Sequence, residues 1–272
     1  MSYQLLDTGY CLASEHLMVQ GGRRKTIRCH ATAVLVEHPE KGFVLFDTGY
    51  APRVMQCMRR FPFSIYRRAT PIVHRENQSV KHQLHRLGLQ TRDIGHIVIS
   101  HFHADHIGGL IDFPKANLIA SKEGFWDVMD RRGLCALQKA FIPELLPKNA
   151  KTRIQTIEQF NGVPLGPLGP THDLFGDGSL RLCRLPGHAK GQLGLWAQTP
   201  QGETLFVADG CYLSQSFREN RPPSRLTSAF CDNFGSVVQT VRKLHDLHRQ
   251  YPKLHMVPCH CPETTERLCL SS

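Results

Sequence analysis

Residues 101–109 read His-Phe-His-Ala-Asp-His-Ile-Gly-Gly, and six consecutive positions carry His101, His103, Asp105 and His106. The run follows Gly95-His-Ile-Val-Ile-Ser100, whose apolar Ile97-Val98-Ile99 reads as a short buried strand. A strand end leading into a tight loop can aim alternating side chains at one small volume. Neutral imidazole and carboxylate are the donors expected for a borderline divalent ion such as zinc. Four donors in so short a segment exceed what one tetrahedral ion normally takes, so the spacing predicts two ions side by side. With 16 His in the chain, a lone imidazole would say little. This order of donors, between an apolar strand and a Gly-Gly pair, says more.

The motif resembles the His-x-His-x-Asp-His signature of the metallo-β-lactamase superfamily. Further donors follow in the order that family uses. Leu185-Pro-Gly-His188 supplies a His after a Gly, Leu205-Phe-Val-Ala-Asp209 an Asp after an apolar run, and His255-Met-Val-Pro-Cys-His260 a late His. Upstream, Val44-Leu-Phe-Asp47-Thr-Gly49 matches a strand–turn Asp that also recurs there. The resemblance spans roughly residues 30 to 262. It implies one ion held by His101, His103 and His188, and another held by Asp105, His106 and His260. Asp209 would bridge the two, and Asp47 would orient a ligand His through its free ring nitrogen. The cofactors implied are two divalent ions, with zinc the default and iron, manganese or cobalt open to the same donors.

The reaction implied is hydrolysis by a hydroxide shared between the ions, whose pKa two cations lower towards neutrality. Within the family, Asp209-Gly-Cys-Tyr212 is similar to the N-acyl-homoserine lactonases, where a Tyr three residues after the bridging Asp points into the site. The resemblance gives Tyr212 a hydrogen bond to the lactone carbonyl oxygen, and Asp105 a proton to pass to the leaving alkoxide. One departure bears on substrate. Those lactonases commonly repeat Pro-Gly-His around the third ligand, whereas Lys190 and Gln192 stand here in Pro186-Gly-His-Ala-Lys-Gly-Gln192. The substrate class is therefore a small acyl lactone or ester, with N-acyl-homoserine lactones first and quorum quenching the implied role. The alternatives are a glyoxalase II-like thioester hydrolase, a phosphodiesterase or RNA nuclease, and a non-catalytic metal-bound sensor. No helical glutathione-binding region is legible after His260, and no added RNA-gripping module is visible.

Composition frames these readings. The 272 residues are 41% hydrophobic and 21% charged, ordinary values for a globular protein with a sizeable core. They are read as a single metallo-hydrolase domain over 1–272. No apolar run reaches the length of a membrane-spanning helix, and the N-terminus lacks the basic-then-apolar order of a signal peptide. A cytoplasmic location is the expectation, and ten scattered cysteines without a C-x-x-C agree with it if they stay reduced. The net charge of +10 is uneven, because residues 1–92 hold 14 Lys and Arg against 6 Asp and Glu. Arg59, Arg60, Arg67, Arg68 and Arg75 interleave with Phe61, Phe63, Ile65 and Tyr66 in a lid-like insertion at about 51–76. Such a segment suits acyl chains, acidic substrates, a second protomer in a homodimer, an anionic membrane surface or, as a lesser choice, RNA. A solvated helix face is the plain alternative.

Along the chain, Cys29–Glu37 and Phe43–Asp47 read as strands, Ser79–Leu87 as a helix closed by Gly88, and Ala116–Ala120 as a strand. A helix is expected from Lys122 to Met129. Residues 133–178 carry five prolines that should break any regular element. Three strands follow from Ser179. Ser236–Arg249 reads as a helix with Val237, Val241, Leu244 and His248 on one face and Val238 beside them, ahead of a last strand Leu254–Val257. Periodicity alone gives a mixed α/β domain; the resemblance implies an αβ/βα four-layer sandwich.

Overall fold

The computed structural model of the chain describes residues 1–200 and 202–269. Its strands form two sheets. The first contains β1 (Ser2–Ser14), β2 (Thr26–His38), β3 (Gly42–Phe46), β4 (Ile72–Val73), β5 (Ile94–Val98), β6 (Asn117–Ser121) and β7 (Ile154–Ile157), in the order β4-β1-β2-β3-β5-β6-β7. The second contains β8 (His172–Asp173), β9 (Leu180–Arg184), β10 (Leu193–Thr199), β11 (Gly202–Ala208) and β12 (His255–Pro258), in the order β12-β11-β10-β9-β8. Each sheet is mixed. β1–β2–β3 and β8–β9–β10–β11 pair antiparallel, whereas β3–β5–β6–β7 and β11–β12 pair parallel.

Alternation along the strands makes four layers. Val34, Val36, Val44 and Phe46 face the second sheet and meet its Leu182, Leu193, Leu195 and Phe206. The intervening Ala33, Leu35 and Leu45 point the other way, onto helices that carry Val54, Leu84, Ile107 and Phe125. With a period of two, a strand apolar at every position is buried on both faces, as a sheet between two layers must be. The outer face of the second sheet receives Val241, Leu244 and Leu247 from the helix Phe234–Gln250. That face differs from the sequence expectation, because Thr240 and Leu247 are buried while Val238 is exposed and His248 half-buried.

One further expectation needs correction, and one strand lay outside the sequence reading. Residues 133–178 are not without regular structure: they hold β7, β8 and several one-turn helices, with prolines at the helix starts. β1 is as long as β2 and begins the first sheet, and its register shifts between Asp7 and Tyr10, which breaks the alternation a strand reading depends on.

Topology places the C-terminal ends of β3, β5, β9, β11 and β12 together, followed respectively by Asp47, Ser100-His101, His188, Asp209 and His260. Close backbone packing holds this edge. A Cβ on Gly108 would come within 2.5 Å of the Gly49 carbonyl oxygen, so the loop after the metal motif can seat only a glycine there. Gly187, at φ +129°, lies against the start of the long C-terminal helix, where a Cβ would meet the Val237 nitrogen at 2.3 Å.

Candidate metal centre

The loop after β5 turns into the short helix Ala104–Ile107, which carries Asp105 and His106 inward. Asp47 anchors it from the end of β3, in a left-handed backbone conformation at φ +64°. One Asp47 oxygen accepts the Ser100 N–H at 2.8 Å; the other accepts the Ser100 hydroxyl at 2.7 Å and lies 2.7 Å from His106 Nδ1. A carboxylate on Nδ1 fixes the tautomer and leaves Nε2 free to ligate. This is the role expected for Asp47. Ser100 also reaches His101 Nδ1 at 3.0 Å, so one hydroxyl ties three members of the loop together.

Donor atoms gather in two groups. His101, His103 and His188 form one, with ring centroids 4.5 Å, 5.0 Å and 4.6 Å apart. His106, Asp209, Cys259 and His260 form the other. Asp209 reaches both, with one oxygen 3.1 Å from His188 Nε2 and 2.9 Å from His260 Nε2, and the other 3.3 Å from His106 Nε2. Asp105 stands beside the second group, 3.5 Å from His106 Nε2 and 3.6 Å from His260 Nε2. All seven residues anticipated as metal ligands thus converge at one edge of the sandwich.

The donors fit a divalent ion. His101 Nε2 is buried without a hydrogen-bond partner among the described residues, and His106 Nε2 and Asp209 Oδ1 face each other at 3.3 Å without a well-aligned hydrogen bond between them. Buried polar atoms are nearly always satisfied, and three under-satisfied ones converging in one place are what a bound cation would complete. His260 is oriented from behind, its Nδ1 2.5 Å from the carbonyl oxygen of His30.

Electrostatics separate the groups. Burial drives His103 down to about 4 and His188 down to about 3, despite nearby carboxylates, and burial with His106 and His103 holds His101 well below its usual value. For His106, burial again opposes the charge, but Asp105, Asp47 and Asp209 outweigh it and raise the imidazole well above its usual value. His260 is raised against burial by Asp209, Cys259 and Asp105. Asp209 stays ionised despite burial because His260, His106 and His188 surround it.

Tyr212 follows Asp209 by three residues, and its hydroxyl lies 2.9 Å from His188 Nδ1. Burial, Cys231 and Asp209 raise the phenol well above its ordinary pKa, so it remains a neutral donor. Above the donors opens a cavity of about 400 Å³. Leu12, Leu17, Met18, Tyr66, Ala69 and Phe230 line it together with His103, Asp105, Tyr212 and His260.

Sequence reading missed Ser100 and the His30 carbonyl. Cys259, next to His260, can be read from the sequence either as a ligand or as a small space-filling residue; its sulfur accepts the Thr32 N–H at 3.3 Å while standing among the donors. Of the two departures from the lactonase pattern, Lys190 is exposed. Gln192 is buried, and neither polar atom of its side chain has a partner among the described residues. Nine cysteines are free thiols, and the side chain of Cys269 lies outside the described residues.

Residues 26–244 match the family model of the metallo-β-lactamase superfamily. The chain is 26% identical over 220 residues to an N-acyl homoserine lactonase, AttM, of Azorhizobium caulinodans, covering 78% of this chain and 75% of that protein. It is 27% identical over 252 residues to a probable metallo-hydrolase of Mycobacterium tuberculosis, covering 86% and 75% respectively. Among solved structures, an N-acyl homoserine lactone hydrolase with N-hexanoyl-L-homoserine at its catalytic metal centre superposes with a TM-score of 0.76. That match has 19% identity over 97% of this chain and 95% of the other. A quorum-quenching lactonase described as dizinc gives a TM-score of 0.64 at 18% identity, over 95% and 86% of the two chains.

Proposed function

We propose, from the premise that the chain belongs to the metallo-β-lactamase superfamily, that this metallo-hydrolase opens N-acyl-homoserine lactones and so quenches acyl-lactone signals. The observation that carries the reading is a cavity lined by apolar side chains and donor residues together. Leu12, Leu17, Met18 and Phe230 offer an acyl chain a place to bury, while His103, Asp105, Tyr212 and His260 line the same cavity. The likeness to AttM points the same way.

In this reading His101, His103 and His188 would hold one divalent ion and Asp105, His106 and His260 the other, with Asp209 available to both. Zinc is the ion proposed. Bound there, the pair supplies Lewis acidity and a water acidic enough to act as nucleophile near neutral pH. The chain's own residues do the rest. Asp47 and Ser100 keep His106 and His101 turned towards the centre. Tyr212, kept neutral, holds His188 in place and stands where it can donate to an ester carbonyl oxygen. Asp105 lines the cavity, placed to carry a proton to the leaving alkoxide.

The test combines metal analysis with a substrate panel: acyl-homoserine lactones of several chain lengths, a glutathione thioester and a phosphodiester. About two ions per chain and lactone opening that is lost in His103→Ala and slowed in Tyr212→Phe are expected. Turnover of the thioester or phosphodiester alone would discard the lactone while keeping the centre.

A further inference from the structure

Two short helices line the cavity and a third packs beside one of them. Phe63–Ala69 contributes Tyr66 and Ala69 to the wall, Arg225–Phe230 contributes Thr227 and Phe230, and Ala140 follows Gly133–Leu137, which packs against Phe63–Ala69. Their outward faces are unusually apolar. Phe61 is 73% exposed, Leu226 71%, Phe230 66%, Leu134 54% and Ile65 46%. Lone exposed apolar residues are common, but five large ones on or beside three short helices at one cavity are not.

The charge of the same segments is one-sided. Residues 51–75 contain six Arg and neither Asp nor Glu. Arg59, Arg60, Arg67, Arg68 and Arg225 are exposed, and none forms an ion pair among the described residues. On the helix Phe63–Ala69, Phe63 and Tyr66 point inward while Ile65 and Arg68, one turn apart, point out.

We infer that this face is a docking surface for an anionic lipid bilayer, seating the cavity at the headgroup–acyl boundary. Large aliphatic and aromatic side chains interspersed with unpaired arginines are the composition of an interfacial surface. An RNA would engage the arginines and stack on Phe61 or Phe230, but would leave Ile65, Leu134 and Leu226 exposed to water. A second copy across a two-fold axis would set Arg against Arg with no carboxylate on residues 51–75 to pair them. A bilayer uses both halves of the surface at once. It would also let an acyl chain pass from the membrane into the cavity without crossing water. The docking stands apart from the choice of substrate and is measured without turnover.

The metal-loaded full chain is sedimented with vesicles of phosphatidylcholine and with vesicles of phosphatidylcholine mixed with phosphatidylglycerol. Partition onto the anionic vesicles is expected to exceed that onto the neutral ones by at least ~10-fold, and to fall steeply as salt is raised from about 0.1 M to about 1 M. Arg67→Glu/Arg68→Glu should weaken it by more than ~20-fold, at roughly fivefold for each arginine lost. Phe61→Ser/Ile65→Ser should weaken it in a salt-independent way. Unchanged melting temperature and metal content would confirm that the variants fold, and the wild-type salt series needs no variant at all. Absence of partition, or equal partition onto both vesicle types, would overturn the inference. So would a concentration-dependent dimer, or an RNA complex, that masks the surface and is lost in the same variants.

Discussion

Both donor groups are built on buried imidazoles, yet their surroundings push those imidazoles in opposite directions. His101, His103 and His188 are neutral imidazoles, kept so by burial and by one another. His106 and His260 sit among Asp105, Asp47 and Asp209, which favour their protonated forms. In the first group burial disfavours any extra proton; in the second, the carboxylates favour protons on the imidazoles. An ion entering the first releases no extra proton, whereas one entering the second competes with protons. Chemically similar side chains a few ångströms apart can thus make two sites with different loading rules.

The contrast can be broken most severely at Asp209, the residue both groups share. Asp209→Ala should strip both ions and reduce hydrolysis to background, as read by metal analysis and the substrate panel. Loss of a single ion would mean that the groups act independently. Asp47→Ala acts directly on the second group, through His106 Nδ1, and reaches His101 of the first only through Ser100. The second group's ion should bind ~10–100-fold more weakly in chelator competition, with the first ion weakened much less. Equal weakening of both would erase the asymmetry.

Acidity sharpens the comparison further. Because His106 and His260 are raised, the second group binds protons that a metal must release, so its affinity should rise with pH by up to about tenfold per unit for each proton expelled. The first group, with His103 at about 4 and His188 at about 3, should bind its ion with little pH dependence across the neutral range. Titration calorimetry in buffers of different ionisation enthalpy would count the protons. The mildest effect is on stability: with metal at ~100 times its dissociation constant, binding adds roughly 2.7 kcal/mol, so chelation should lower the melting temperature by about 5 °C.

The run from His101 to His106 was legible because it follows an apolar strand within a few neighbouring residues, whereas His188, Asp209 and His260 were legible through the order that the family resemblance implies. Asp47 was legible for the same reason. The His30 carbonyl was not, since any residue offers one and only the packing of β2 against the end of β12 selects it. β7 escaped notice because four residues are too few for periodicity and its partner β6 lies far away in sequence. In the helix Phe234–Gln250, the inward stripe continues through Leu247 instead of His248. Spacings of three and four are both helical, and the sheet beneath the helix decides between them. Lys190 and Gln192 were visible as departures, but only the fold distinguishes the exposed one from the buried one.

The two sheets are consecutive in the chain, β7 ending at Ile157 and β8 beginning at His172. Every donor from His101 to His106 therefore precedes a single crossing point, and His188, Asp209 and His260 all follow it. Seen as an assembly, the protein resembles a lock whose key-ways are cut half into each of two plates. A break in the connecting stretch would leave two fragments with partial sets of donors, neither matching the whole centre, and uptake of the paired ions would report their reunion.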